Sequence, residues 1–284
     1  MYLSGSVGYS FLSLVRGNKQ HNVLILSDIH DGVEYCKQDS IMIAKLLKLF
    51  ASSNTVLLEE AIRENTQLLS LWPNSVHTTQ LRELNKNNMD IIPIDIRSAL
   101  IPFSWELVKI QEHLGEITLI DYIKPLDDFF NRKSSFYKKY IEAPYNLMKN
   151  NNKFKMSLER HFIALKDLFE KYKNDNLNII NTTITTLNNN KPIILEQINN
   201  LISMIMEWYC ILLVHNSENN IILHVGLAHS TRLIDILTQV YRYINNSNSG
   251  LTRLTNDIIN DSHNSCIMIP SDVLNRFMPK YGFV

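Results

Sequence analysis

The sequence predicts an α/β fold in which a mainly parallel central sheet is flanked by helices and carries a large helical insertion. Between residues 22 and 95, short continuous apolar runs alternate with apolar residues at helical spacing. This alternation of strands and helices is typical of α/β proteins. The chain has 284 residues, of which 45% are hydrophobic and 20% are charged. That composition excludes intrinsic disorder for most of the chain.

A strand, a helix and a second strand open the predicted sheet. Residues 22–27 contain a continuous apolar run, Val-Leu-Ile-Leu, that ends in polar residues, which is typical of a strand buried on both faces. Residues 39–50 carry apolar side chains at helical spacing, and Asp39 or Ser40 is a suitable N-cap for that helix. Residues 55–59 repeat the buried-strand pattern.

A second helix and a third strand complete this part of the sheet. The helical pattern ends over residues 81–88, and residues 90–95 form the next apolar run. Pro93 has no amide hydrogen to donate to a neighbouring strand. The sequence therefore places this strand at an edge of the sheet, or Pro93 at a strand end.

Residues 105–215 predict the helical insertion, because they show long helical periodicities with charged faces and no clear strand. Residues 174–178 and 188–191 are predicted as turns between helices. Residues 201–214 are the most apolar stretch but include Glu207 and are shorter than the roughly 20 residues that a bilayer requires. This stretch predicts a buried helix, and we expect no membrane association.

The α/β pattern returns after the insertion. Residues 221–225 and 266–269 have the composition of strands, and residues 231–243 have helical spacing. Residues 1–284 are therefore predicted to form a single α/β domain that the insertion interrupts.

Charge, cysteine content and composition exclude several classes of protein. Lys and Arg total 28, as do Asp and Glu, so no net charge attracts nucleic acid. Cys36, Cys210 and Cys266 are odd in number and far apart, which indicates neither a disulfide framework nor a zinc ribbon. The start of the chain has no signal-peptide pattern, so we expect an intracellular, reducing location. The 32 Asn residues favour an AT-rich genome, such as that of a large DNA virus or a protist parasite. The expected location is the cytoplasm, with the host cell or the virion as the setting for a viral protein.

Polar side chains follow four of the predicted strands. His30 follows the first strand, Glu59 and Glu60 end the second, Arg97 follows the third and His229 follows the fourth. Ligands of open α/β sheets bind beyond the carboxyl ends of the strands. These five side chains are therefore predicted to converge at one edge of the sheet.

Histidine and glutamate at one sheet edge can support hydrolysis in two ways. As ligands, His30, His229 and Glu59 would hold one divalent metal, such as manganese, cobalt or zinc, whose bound water becomes a nucleophile. Without a metal, Glu59 or Glu60 and one histidine would activate water. The other histidine and Arg97 would then stabilise an oxyanion. Both schemes are compatible with the sequence.

Residues 27–30 and 226–229 form two motifs of a small residue, two variable residues and a histidine, each directly after a predicted buried strand, and an acidic pair follows the second strand. These motifs resemble the TraB/TIKI superfamily, which includes the erythromycin esterases and the ChaN-like haem-binding proteins. Residues 226–229, Gly-Leu-Ala-His, have the pattern of the family's second Gly-x-x-His motif. Residues 27–30, Ser-Asp-Ile-His, have the pattern of the first, with Ser27 in place of glycine. The resemblance implies a hydrolase of amide or ester bonds, acting on a small molecule or peptide, with His30 and His229 at the centre of its site.

Two other functions stay open. The same fold could belong to a non-enzymatic binding or virion-associated protein whose site has decayed, and Ser27 and the Asn-rich insertion are compatible with that. Asp28 and His30 also resemble the opening Asp-x-His of calcineurin-like metallophosphoesterases, although the later motifs of that family are missing. The sequence contains neither a P-loop nor a Rossmann glycine motif.

Two further residues have reactive side chains, but a structural role explains each of them. Cys36 could be a thiol nucleophile, yet a free cysteine is usually a small buried apolar residue. His224 alternates with apolar neighbours in its predicted strand. We expect His224 to lie in the core or on the side opposite His229.

Overall fold

The computed structural model describes residues 1–29, 35–62, 76–87, 91–101, 117–148, 152–254 and 265–278. The chain divides into two compact units. The first contains Met1–Glu60, Trp72–Ile94 and Ser217–Val284, and the second contains Ala61–Leu71 and Asp95–Asn216. The described strands belong to the first unit, except that Ala61 and Asp95, each the last residue of a strand, belong to the second. The helices within the predicted insertion belong to the second unit.

Strands and helices alternate through the first unit. The described strands are, in chain order, β1 (Tyr2–Ser4), β2 (Gly8–Arg16), β3 (Lys19–Asp28), β4 (Ile41–Met42), β5 (Thr55–Ala61), β6 (Ile91–Asp95), β7 (Ile221–Gly226), β8 (Ile244–Gly250) and β9 (Cys266–Met268). The described helices of this unit are α1 (Ile43–Ala51), α2 (Val76–Asn87), α8 (Leu227–Gln239) and α9 (Ser271–Leu274).

The second unit is helical in its described part. Its α-helices are α3 (Leu119–Phe130), α4 (Ala143–Leu147), α5 (Asn152–Asp175), α6 (Ile184–Asn190) and α7 (Pro192–Asn216). A π-helical turn, Tyr137–Glu142, leads directly into α4. The predicted turns at residues 174–178 and 188–191 fall at the ends of α5 and α6.

The main sheet has six strands in the order β6-β5-β7-β3-β2-β8. Strands β3 and β5 both run parallel to β7, whereas β2 is antiparallel to β3 and to β8. The predicted α/β fold, with a mainly parallel sheet flanked by helices, is confirmed. Strand β6 lies at the edge of the sheet, as Pro93 predicted.

Two of the strands predicted from apolar runs, β3 and β7, lie in the middle of the main sheet. All six residues of β7 are buried, and so are the last eight residues of β3. A strand buried on both faces needs apolar side chains on both faces, which gives a continuous apolar run. The sequence shows such an apolar run within both strands.

Helix α1 begins later than predicted. It starts at Ile43, with Met42 as an N-cap that makes no side-chain hydrogen bond, and not at Asp39 or Ser40. Ile41 and Met42 instead pair with β1 as the short strand β4. That strand belongs to a separate three-stranded sheet in the order β4-β1-β9.

A buried cluster in the first unit joins α1 to both sheets. Helix α1 buries Ile43, Leu46, Leu47, Phe50 and Ala51. The other members come mainly from the strands and from the end of the described chain: Leu3, Tyr9, Phe11, Leu24, Leu26, Val56, Leu58, Leu81, Ile91, Ile222, Ile267, Ile269, Val273, Leu274 and Phe277.

A disulfide joins Cys36 to Cys266, with Cα atoms 4.8 Å apart. The expectation that the cysteines form no disulfide framework is wrong for this pair, and Cys36 is not a free thiol. Ser4 of β1 pairs with Cys266 in the β1–β9 register, and its Oγ accepts a hydrogen bond from the Cys36 amide at 3.1 Å. The small sheet thus brings together two residues that are 230 positions apart. Cys210 is a buried free thiol.

Helix α7 is the longest described helix of the second unit. It has 25 residues, and its most apolar 18-residue window has a mean hydropathy of 1.3. By length and composition it could cross a membrane, but 72% of that window is buried within the protein. The prediction of a buried helix over residues 201–214 is confirmed, although the helix is longer than predicted. Its Trp208 is 1% exposed and donates a hydrogen bond from Nε1 to the Leu158 carbonyl of α5 at 3.0 Å.

Candidate active site at the carboxyl edge of the sheet

Glu59 and His229 meet where two neighbouring parallel strands end. Glu59 lies near the end of β5, and His229 is the third residue of α8, which begins directly after β7. Leu58 and His224 are register partners of these two strands, so Glu59 lies close to the start of α8. Glu59 Oε1 is 3.5 Å from His229 Nε2, and the two side chains are only 5% and 8% exposed.

The other carboxylate oxygen of Glu59 is held by the backbone of Gly226. The Gly226 amide donates a hydrogen bond to Glu59 Oε2 at 2.6 Å. Gly226 is also the N-cap of α8, where the partial positive charge of the helix dipole stabilises an anion. A charge-assisted hydrogen bond of this length holds the carboxylate firmly. Glu59 is therefore fixed with its second oxygen towards His229.

Asp28 lies at the same edge of the sheet. It is the last residue of β3, is 1% exposed and pairs in register with Gly226 of β7. The ends of β3, β5 and β7 thus bring two carboxylate residues and the start of α8 to one edge. Ligands of open α/β sheets bind at this kind of edge.

Glu60 lies on the other face of β5. Successive side chains of a strand point to opposite faces, and Glu60 Oε2 is 3.5 Å from Nε of Arg82 on α2. Glu60 and Arg82 are both largely buried, with side chains 9% and 17% exposed. Of the two predicted carboxylates, Glu59 is therefore the one that contacts His229.

Arg97 is held by Asp95 within the second unit. Its Nε and Nη2 donate to the two Asp95 oxygens at 2.8 Å each, which is a bidentate ion pair. Such a pair fixes the plane of the guanidinium group. The predicted role of Arg97 in stabilising an oxyanion stays a prediction.

His30 lies outside the described residues, so its convergence with His229 stays a prediction. Within the described ranges no three His, Cys, Asp or Glu side chains form a group that could hold a metal ion. Glu59 and His229 supply two donors, whereas catalytic zinc sites have three protein ligands. The predicted manganese, cobalt or zinc site therefore depends on His30.

His224 is 2% exposed within β7, so its predicted place in the core is confirmed. The backbone amide of Gly226 is a feature that the sequence analysis missed. A glycine that ends a buried strand and caps the next helix is its only sequence signal.

Comparison with known proteins identifies no relative of this chain. The chain matches no protein-family model, no curated protein and no solved structure. The resemblance to the TraB/TIKI superfamily therefore rests on the spaced motifs alone.

Proposed function

We propose that the protein is a hydrolase of amide or ester bonds in which Glu59 and His229 together activate water. The proposal rests on one observation, the contact between Glu59 Oε1 and His229 Nε2 at the carboxyl edge of a parallel sheet. A carboxylate beside an imidazole is a common pair for general acid and base catalysis. Their shielding from solvent strengthens the interaction between them, because the effective dielectric constant is low inside a protein.

The proposed reaction needs only proton transfers at this pair. Glu59 and His229 take one proton from a water molecule, and the resulting hydroxide attacks the carbonyl carbon of the substrate. The tetrahedral intermediate then expels its amine or alcohol, which receives the same proton from the pair. The Gly226 amide keeps Glu59 in place through these steps. The oxyanion-stabilising roles predicted for Arg97 and His30 stay predictions.

The alternative of a binding protein with a decayed site is favoured by one observation. The side chains of Glu59 and His229 are only 5% and 8% exposed, which leaves a substrate little direct access to them. A structural ion pair would have the same burial. Activity measurements separate the two proposals.

The test is hydrolysis of a panel of nitrophenyl esters and peptide nitroanilides, with and without added manganese, cobalt or zinc. We expect Glu59→Gln and His229→Gln to lower kcat/KM by at least about 100-fold, which is the usual contribution of a general acid or base. Glu60→Gln changes the neighbouring carboxylate, which faces Arg82, and should retain activity within about tenfold of wild type. Circular dichroism checks that each variant is folded.

Two results would overturn the hydrolase proposal. One is a folded wild-type protein that hydrolyses no substrate of the panel under any metal condition. The other is a Glu59→Gln variant as active as wild type. The first result would favour the binding protein, and the second would place the chemistry elsewhere.

A further inference from the structure

Two buried serines join β3 to the first turn of α8. The Ser27 hydroxyl donates a hydrogen bond to Ser230 Oγ at 2.9 Å, and Ser230 Oγ donates to the Leu227 carbonyl at 2.9 Å. Both serines are 0% exposed. Because the Ser230 hydroxyl donates its hydrogen to the Leu227 carbonyl, Ser230 Oγ can only accept in its hydrogen bond with Ser27.

The backbone of Ser27 is itself held in place. Its carbonyl oxygen accepts hydrogen bonds from the Val7 amide at 2.9 Å and from Ser6 Oγ at 2.8 Å. Ser27 also pairs with Val225 in the β3–β7 register. The hydroxyl of Ser27 therefore projects from a fixed position in the sheet.

The first turn of α8 is consequently held from two strands. Strand β5 holds it through the hydrogen bond between Glu59 and the Gly226 amide, and β3 holds it through the bond between Ser27 and Ser230. His229 lies between these two attachments in sequence, directly before Ser230. A rotation or shift of this turn would change the distance between His229 and Glu59.

We propose that Ser27 is a positioning residue, which acts through Ser230 to orient the His229 imidazole against Glu59. The inference rests on the proposed function for its effect on catalysis, but its effect on His229 can be measured separately. Glycine at this position would have no hydroxyl group to donate. The hydroxyl in this chain thus supplies an attachment that glycine would lack.

The test compares Ser27→Ala, Ser27→Gly, Ser230→Ala and the double variant Ser27→Ala/Ser230→Ala. The control is Ser10→Ala on β2, because Ser10 is 1% exposed and its Oγ has no hydrogen-bond partner among the described residues. The control makes the same substitution at the same depth without removing a hydrogen bond. Circular dichroism and thermal unfolding identify the variants that fold.

The first readout is the pair of imidazole nitrogen chemical shifts of His229, measured by NMR in histidine-labelled protein and assigned with His229→Gln. We expect wild type and Ser10→Ala to show the His229 shifts of a single ring tautomer, with Nε2 towards Glu59. Ser27→Ala, Ser27→Gly and Ser230→Ala should show shifts averaged between the two tautomers. The double variant should match the single variants, since all remove the same attachment.

The second readout is steady-state hydrolysis of the best substrate of the panel. Because misplacement of a catalytic group lowers kcat, we expect Ser27→Ala and Ser27→Gly to lower kcat by about 10- to 100-fold with little change in KM. If Ser27 had only a structural role, the kcat of its variants would be close to that of Ser10→Ala.

The two readouts separate this proposal from the hydrolase proposal. Unchanged His229 shifts in folded Ser27→Ala and Ser230→Ala would overturn the positioning role, whatever the activity. So would a Ser27→Gly variant that is as active as wild type. Altered shifts in a protein with no hydrolytic activity would support the positioning of His229 and count against the hydrolase.

Discussion

At the scale of single residues, burial sets the protonation state of His21. His21 is 4% exposed in β3, and its Nδ1 is 3.0 Å from the Tyr243 hydroxyl, which accepts a hydrogen bond from Arg16 at 2.7 Å. Burial, with a smaller effect of the nearby Arg16 charge, lowers the pKa of His21 from 6.5 to about 3. The folded protein therefore keeps this imidazole neutral in mild acid.

His21 should make the folded state less stable as the pH falls below 6.5. Between pH 6.5 and about 3 the unfolded chain binds a proton at His21 that the folded chain does not bind. The free energy of unfolding should therefore fall by up to about 1.4 kcal/mol for each pH unit in this window, with no His21 contribution above it. Urea unfolding of wild type and His21→Gln at several pH values measures the effect. A variant with the same pH dependence as wild type would contradict it.

The positions of single residues in the sequence predict part of the site and not the rest. The positions of Glu59 and His229 after apolar runs were enough to place both at the carboxyl edge. Alternation along a strand implies that Glu59 and Glu60 point to opposite faces. Which face lies beside α8 depends on the packing of that helix, and the sequence does not give this packing. The Gly226 amide and the Ser27–Ser230 bond are set by strand register and were not predictable.

At the scale of elements, β2 and β8 approach each other closely at a pair of glycines. Gly8 and Gly250 are register partners, and Gly250 has a φ of +72°. A Cβ added at Gly8 would lie 2.0 Å from the Leu251 carbonyl oxygen, and one added at Gly250 would lie 2.3 Å from the Val7 carbonyl oxygen. Both contacts are with backbone, which cannot rotate away.

Gly8→Ala should therefore destabilise the sheet. Backbone atoms must shift to accommodate the methyl group, and overpacking of this kind typically costs about 1–3 kcal/mol. Chemical denaturation measures the change, with Ser10→Ala on the same strand as a control that adds no atoms. A Gly8→Ala variant that unfolds at the same denaturant concentration as wild type would show that the strands are not in close contact here.

Strand β2, Gly8–Arg16, was not predicted although most of it is buried. The other strands that the sequence missed, β8, β1 and β4, have weak patterns. Strand β8 reads Ile-Asn-Asn-Ser-Asn-Ser-Gly, and its residues are almost all exposed. Asparagine and glycine are depleted in strands, so the hydrogen bonds to β2 determine its conformation and local propensity does not. Strands β1 and β4 have three and two residues, which is too few for a periodic pattern. The buried strands β3, β5 and β7 have longer apolar runs and were predictable.

At the scale of the whole molecule, the Cys36–Cys266 disulfide closes a long loop of the chain. It joins residues separated by 230 positions. Closing a loop removes conformational freedom from the unfolded chain, and the loss grows with the length of the loop. The sequence could not predict this pairing, because it follows from the β1–β9 register. Disulfides persist mainly in oxidising environments, whereas the predicted intracellular location is reducing.

Removal of the disulfide should lower stability and expose the pairing to direct measurement. We expect the double variant Cys36→Ser/Cys266→Ser to lose about 2–5 kcal/mol of unfolding free energy. Wild-type protein purified without reductant should show one thiol per chain when titrated in denaturant, which is Cys210. Three thiols per chain would contradict the disulfide and support the reducing location that the sequence predicted.

The central claim is that the sheet brings Glu59 and His229 into one interacting pair, and a double-mutant cycle tests it most directly. The free energy of unfolding is measured for wild type, Glu59→Gln, His229→Gln and the double variant. We predict a coupling energy of about 0.5–3 kcal/mol, as residues in contact show. The matched cycle of Glu60→Gln with His229→Gln should be additive, because Glu60 contacts Arg82 on the other face of β5. Additive effects of Glu59→Gln and His229→Gln, to within about 0.5 kcal/mol, would contradict the pair and the site built on it.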